Sequence, residues 1–137
     1  MDTKALERYF NLYSEGRFDE AITEHYREDA HFWNTRIELT GRQKIIDWLC
    51  ASHNGYTEKL IPLSIFFDTD GAAVELQQEF HAVTDLSSFY IRPLKTGEVL
   101  KTRGVCQFFR FQEGRIASVK EYVLLYKCDP SVFMAGT

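Results

Sequence analysis

Gln107 and Glu121 stand out in the stretch GVCQFFRFQEGRIASVKEYVLLY, residues 104–126, because each falls on the otherwise apolar side of an alternating strand. A carboxylate set among apolar side chains resists ionisation. It then keeps its proton near neutral pH and can act as a general acid or base. A primary amide beside it cannot carry a proton, but it can hydrogen-bond a carbonyl or enolate oxygen. Proton transfer on a small carbonyl-bearing molecule is the chemistry this pair suggests. The competing reading of Glu121 is an ion pair with Arg103, diagonally across the same hairpin.

Other side chains could join that chemistry. His31 and Trp33 alternate within DAHFWNT, so both can face inward. A histidine there would titrate near neutrality, or else sit hydrogen-bonded at the edge of the core. Gln78 interrupts the face made by Val74, Leu76 and Phe80 and is a further polar candidate. Phe109, like Phe66, Phe67, Phe80, Phe89 and Tyr90, builds either core or pocket wall. His25, His53 and His81 lack the i, i+4 partner of a zinc helix, so no metal site is expected. No G-x-S-x-G elbow occurs, and the glycines punctuate turns instead of forming a phosphate cradle. Covalent and nucleotide chemistry, and any cofactor, are not expected.

The elements that must position these groups can be read from periodicity. Leu6, Tyr9, Phe10 and Tyr13 recur at helical spacing behind Asp2 or Thr3 as N-cap. Gly16 breaks that helix, and a second begins near Asp19, with Ala21, Ile22, His25 and Tyr26 on its apolar side. DAHFWNT reads as a strand. Thr40 and Gln43 have capping-box spacing ahead of a third helix that buries Ile45, Ile46, Trp48 and Leu49. Strands follow: EKLIPLSIFF, then AAVELQQEFHA, which alternates as a half-buried strand does, with Glu75, Gln77, Glu79 and His81 on its polar side. Helices first and a strand meander later indicate an α+β fold.

The last hairpin has two possible registers. A three-residue QEG loop pairs Phe111 with Arg115, Gln107 with Val119 and Val105 with Glu121, and keeps Gln107 and Glu121 on one face with Val105, Phe109, Val119, Val123 and Leu125. A two-residue EG loop shifts the pairing by one and separates them. The first is preferred because it keeps the apolar set together.

Composition narrows the rest. The 137 residues are a single-domain length, with 45% hydrophobic and 15% aromatic residues. Net charge is −4. It is unevenly placed: residues 1–90 carry 8 Lys+Arg against 16 Asp+Glu, and residues 91–137 carry 8 against 4. That is no nucleic-acid footprint. Cys50, Cys106 and Cys128 are too few and too far apart for a disulfide scaffold. With no signal-peptide pattern and no apolar run of spanning length, a cytoplasmic protein without membrane contact is expected.

The order of these elements, with REDAHF, LTGRQKI and FFRFQEGRI at their places, resembles the nuclear transport factor 2-like superfamily from about Ala5 to Tyr126. Within it the chain is similar to SnoaL-like polyketide cyclases and ketosteroid isomerases. The resemblance implies a curved antiparallel sheet wrapped around N-terminal helices into a cone, and homodimers joined through the outer sheet faces. Tyr9 in ERYF matches the isomerase's oxyanion-hole tyrosine. The isomerase's general-base aspartate falls on Asn34, or on Trp33 if the alignment slips by one. Its second oxyanion donor falls on Gln107, and the acid common on the last SnoaL-like strand falls on Glu121. Because an amide cannot take up a proton as a carboxylate does, isomerisation by the usual steroid route is not expected.

The combined expectation is one SnoaL-like domain, with its core at about 5–126 and a tail at 127–137. A conical pocket would take a small hydrophobic carbonyl-bearing molecule for isomerisation, cyclisation or dehydration. Glu121, Tyr9 and His31 would be catalytic, and Gln107, Trp33, Asn34, Gln78, Phe109 and Arg103 would bind. The alternative is a module of the same fold that binds or dimerises without turnover.

Overall fold

Asp2 opens the first helix, α1 (Thr3–Ser14), by accepting a 2.8 Å hydrogen bond from the Ala5 backbone N–H. The computed structural model describes residues 1–124; the expected tail at 127–137 and the inward placement of Leu125 lie outside the described residues. α1 buries Leu6, Tyr9, Phe10, Leu12 and Tyr13, the stripe its three- and four-residue spacing requires. Gly16, at φ 77°, takes the left-handed turn that ends it. α2 (Phe18–His25) follows, with Asp19 and Glu20 in its first turn, where the helix dipole favours them.

β1 (Tyr26–Trp33), the short β2 (Glu38–Thr40) and α3 (Arg42–Ser52) complete the N-terminal half. The expected capping box is absent. Gly41, at φ 108°, is the N-cap of α3 without a side-chain bond, and Gln43 instead bonds Asp47 at 3.0 Å. Thr40 ends β2, paired with His31, and its place in the sheet removes it from the cap.

β3 (Tyr56–Phe67), β4 (Gly71–Ala82), β5 (Val99–Gln112) and β6 (Arg115–Val123) form the meander. All strands join one curved, unclosed sheet in the order β2-β1-β6-β5-β4-β3. It is antiparallel except for β1 against β6, which run parallel, a pairing that the long intervening chain of α3 and four strands permits. Ala72, Val74, Leu76, Gln78, Phe80 and Ala82 of β4 are buried, as the alternation requires. With the helices they enclose the main core, whose innermost members include Leu6, Ile22, Val74, Leu76 and Val119. A second cluster, Phe80, Ala82, Leu94 and Leu100, is flanked by Tyr56, Phe89 and Tyr90.

The last hairpin follows neither register read from the sequence. Its loop is the two-residue Glu113–Gly114, both at positive φ (54° and 75°), and Gln112 pairs with Arg115. Between Phe111↔Ile116 and Arg110↔Ser118 the register shifts by one, leaving Ala117 as an extra residue. That bulge returns Phe109 opposite Val119 and sets Gln107 directly opposite Glu121. The shared face is as expected, but the partners differ by two positions. Without the bulge, a two-residue turn would send one strand's apolar set to solvent.

Candidate functional site

A cavity of about 520 Å³ opens between the two clusters, lined by helices α1 and α3, five of the strands and the loops after β1 and β4. Its walls are both aromatic and polar. Tyr9, Tyr13, Tyr26, Phe32, Trp48, Tyr56, Phe89 and Tyr90 face it, and so do Glu58, Glu121, His53, Gln78, Gln107, Asn34 and Arg36.

Glu121 reaches it from β6. It is half-buried by surface area, since the cavity opens onto it, while the packing around its carboxyl is that of an interior group. Gln107 Nε2 donates to its Oε2 at 2.7 Å, and Asn34 Nδ2 donates to Oε1 at 3.4 Å. Neither donor is charged. Burial, and then the charge of Glu58, push the Glu121 carboxyl up to about 7; the two amides and His53 pull the other way. Glu121 therefore exchanges a proton near neutral pH, as a general acid or base must.

Glu58, on β3, is a second carboxylate in the same cavity and was missed in the sequence. The signal was available: Glu58 lies two residues before buried Leu60, on the inner parity of its strand. Its oxygens are already engaged. Tyr13 donates to Oε1 at 2.9 Å, His53 Nε2 lies 2.8 Å from the same oxygen, and Gln78 Nε2 donates to Oε2 at 2.7 Å. His53 Nδ1 lies 2.7 Å from the Leu49 carbonyl, which can only accept, so that nitrogen carries a proton. His53 and Glu58 thus hold a further proton between them and are together neutral. One carboxylate is locked and the other is free to react.

Tyr9 and Tyr26 join by their hydroxyls at 2.8 Å. Two hydroxyls share two protons, and their mutual bond uses one, so the pair keeps one O–H to offer a ligand oxygen. Burial raises both phenols above their ordinary range, keeping them protonated donors. Asn34 is tied into its own turn: its Oδ1 accepts from the Arg36 and Ile37 N–H groups at 2.9 and 3.0 Å. At the mouth, the Arg36 guanidinium lies 4.7 Å from the centre of the Tyr90 ring.

Glu121, Gln107, Asn34, Gln78 and Tyr9 are thus brought together around one space. Four expected residues are not. Ala30 and Phe32 take the inner side of β1, so His31 and Trp33 point the other way. His31 Nε2 meets Glu38 Oε1 at 2.8 Å, and Trp33 packs on Tyr122 with ring centres 5.3 Å apart. Phe109 is buried beneath the cavity against Tyr9 and Phe10 and is core, not wall. Arg103 is exposed beside an irregularity in the β4–β5 pairing and does not reach Glu121. The local reading assigned these four by parity and diagonal reach, and both depend on where the strands slip. Among the described residues no three His, Cys, Asp or Glu side chains converge as a metal-binding set, and no helix is long and apolar enough to cross a membrane.

Comparison with known proteins agrees with this architecture. The SnoaL-like domain family matches residues 6–119. No curated protein matches the chain. Among solved structures, a protein of Xanthomonas campestris pv. campestris assigned as a polyketide cyclase superposes with a TM-score of 0.72 at 17% identity, covering 97% of this chain and 93% of that one. A second protein so assigned, from Pseudomonas putida KT2440, gives 0.73 at 19% identity over 90% and 91%. An LEH-like epoxide hydrolase of M. tuberculosis gives 0.67 at 16% identity over 97% and 86%. At such identities the likeness is one of fold.

Proposed function

The chain belongs to the SnoaL-like domain family, and from that premise we propose that its cavity binds a small, neutral, largely apolar molecule bearing an oxygen function, on which Glu121 moves a proton. The observation that carries this is the Glu121 carboxyl, held only by neutral amides and poised near 7, at the wall of an aromatic-lined cavity. In the proposed step Glu121 takes a proton from carbon next to a carbonyl while the Tyr9–Tyr26 pair donates its remaining O–H to the oxygen that gains charge. The same carboxylic acid then returns the proton at a second position, which gives isomerisation, or promotes cyclisation or loss of water. Structural neighbours assigned as a polyketide cyclase and as an LEH-like epoxide hydrolase support the choice of an oxygenated small molecule for this cavity. The aromatic outer face around Phe108, Trp33 and Tyr122 would join two copies into a homodimer.

Asn34 favours a second reading. It stands where the resembling isomerases carry their base, and its amide is committed to a turn and to Glu121. A module that holds the ligand without turnover would keep every other feature of the cavity. Thermal-shift screening with carbonyl compounds, polyketide fragments and epoxides, followed by Glu121→Gln on whichever ligand is turned over, separates the two. Loss of turnover with binding retained supports chemistry at Glu121. Binding without turnover in the native protein leaves the module.

A further inference from the structure

Residues 83–98 join β4 to β5, and the two ends of this connection are firmly tied. Val83 and Thr84 donate from their N–H groups to the Gly55 carbonyl at 2.8 and 3.2 Å, and Gly97 donates to Ala82 at 2.9 Å. Further out, Leu86 and Leu94 exchange backbone bonds of 2.7 and 3.0 Å, and Leu94 is buried. The segment beyond this neck, 87–93, is held differently. Among the described residues its backbone makes one hydrogen bond, from Arg92 N–H to the Phe89 carbonyl, which stays within the segment. Phe89 and Tyr90 are its half-buried members and line the cavity; Ser87 and residues 91–93 are exposed. Phe89 packs on Tyr56 and Phe80 with ring centres 4.9 and 5.1 Å apart, and Tyr90 on Phe80 at 5.0 Å.

Two more features set this segment apart. Tyr90 sits at φ 21°, a left-handed conformation that costs a bulky residue free energy and lasts only while its ring is held. Arg36 holds it from across the mouth: its guanidinium stands over that ring and makes no hydrogen bond or ion pair among the described residues. A smaller hollow of about 140 Å³ lies beside Thr35 and Val123, and Arg36 and Tyr90 border both it and the cavity. We propose that residues 87–93 form a flap, latched shut by Arg36 against Tyr90, that lifts about the Leu86–Leu94 neck to admit a ring-sized ligand. The inference rests on the cavity being a ligand site, as argued above. Lifting breaks no backbone bond between flap and body, and the released Tyr90 backbone relaxes. Opening therefore needs only the side-chain contacts to part. The neck stays rooted, because Leu94 belongs to the second core cluster with Phe80, Ala82 and Leu100.

Trp48 lines the cavity, so quenching of its fluorescence by 2-acetonaphthone, a neutral aromatic ketone, reports ligand entry in stopped flow on the full chain. Arg36→Met removes the latch and spares the turn, because it is the Arg36 backbone N–H that bonds Asn34. Association and dissociation should both quicken by about two- to fivefold, the worth of one exposed cation–π contact, with Kd nearly unchanged. Tyr90→Gly, which removes ring and strain together, should quicken both at least as much. Unchanged rates in Arg36→Met, or a change in dissociation alone, overturn the flap and leave the cavity standing as a ligand site. If neither this ketone nor any compound of the thermal-shift screen binds the native chain, the ligand site itself fails and the flap with it. Should Tyr90→Gly not fold, Arg36→Met decides alone, its side chain being exposed.

Discussion

His53 Nε2 lies 2.8 Å from Glu58 Oε1, inside the same cavity as Glu121, and this contact divides the two carboxylates into a held one and a reactive one. Tyr13 and Gln78 complete the shell around Glu58. Removing the carboxylate strands three buried groups at once. Glu58→Leu is therefore expected to destabilise the fold by about 3–5 kcal/mol, the range for breaking a buried pair by deleting one partner. Urea denaturation of the variant beside the native chain measures it, and a loss below about 1 kcal/mol would mean that the network contributes little.

Glu121 sets the pH dependence of stability. Its carboxyl is raised in the folded state from an ordinary 4.5 to about 7. The folded chain thus binds this proton more tightly than the unfolded chain does. The associated stability is fully present below about 4.5 and is lost as pH rises through about 7. A tenfold change in ionisation is about 1.4 kcal/mol, so ionisation costs the fold at most about 3 kcal/mol, and less where cavity water solvates the carboxylate. Glu121→Gln removes that dependence. Relative to the native protein, the variant should gain stability between about pH 5 and about pH 8.5. A constant difference across that range would contradict the raised carboxyl.

Tyr9→Phe breaks the hydroxyl pair and leaves Tyr26 to bond only with a ligand. Stability should fall by about 1–2 kcal/mol. With a substrate identified by screening, kcat should fall about 100-fold and KM change little, because the donor acts on charge that develops during the reaction. A change confined to KM would instead assign the pair to ground-state binding.

The outer face makes its own prediction. Phe108 is 48% exposed and Tyr122 44% exposed, their rings 5.8 Å apart, with Trp33 against Tyr122 on the other side. Two exposed aromatics beside a half-buried third make an outward apolar patch of the kind that marks a protein interface. Light scattering at micromolar concentration should give a dimer for the native chain and a monomer for Phe108→Asp. A native monomer removes the dimer.

Much of the framework was legible because it is written in local periodicity. The stripe of α1, the Asp2 cap and the alternation of β4 each depend on residues a few positions apart, and they read out directly. The inner face of the last hairpin was legible too, through its apolar parity. Its register was not: the turn is shorter than inferred, and a bulge at Ala117 makes up the difference. His31 and Trp33 misled because β1 carries aromatic side chains on both sides, so parity alone does not say which is inside. Glu58 stayed hidden because a lone acid in EKLIP looks like a solvent-facing residue until Tyr13, His53 and Gln78 surround it.

The sequence by itself determined the elements, their amphipathic faces and the presence of Gln107 and Glu121 on a buried side. Only the tertiary structure decided which carboxylate is free and which residues share the cavity. The physical reason is range. Helix and strand faces follow from backbone periods of a few residues, whereas ionisation and hydrogen-bond satisfaction depend on groups such as Tyr13, Glu58 and Gln107, which meet only when distant segments close on one another.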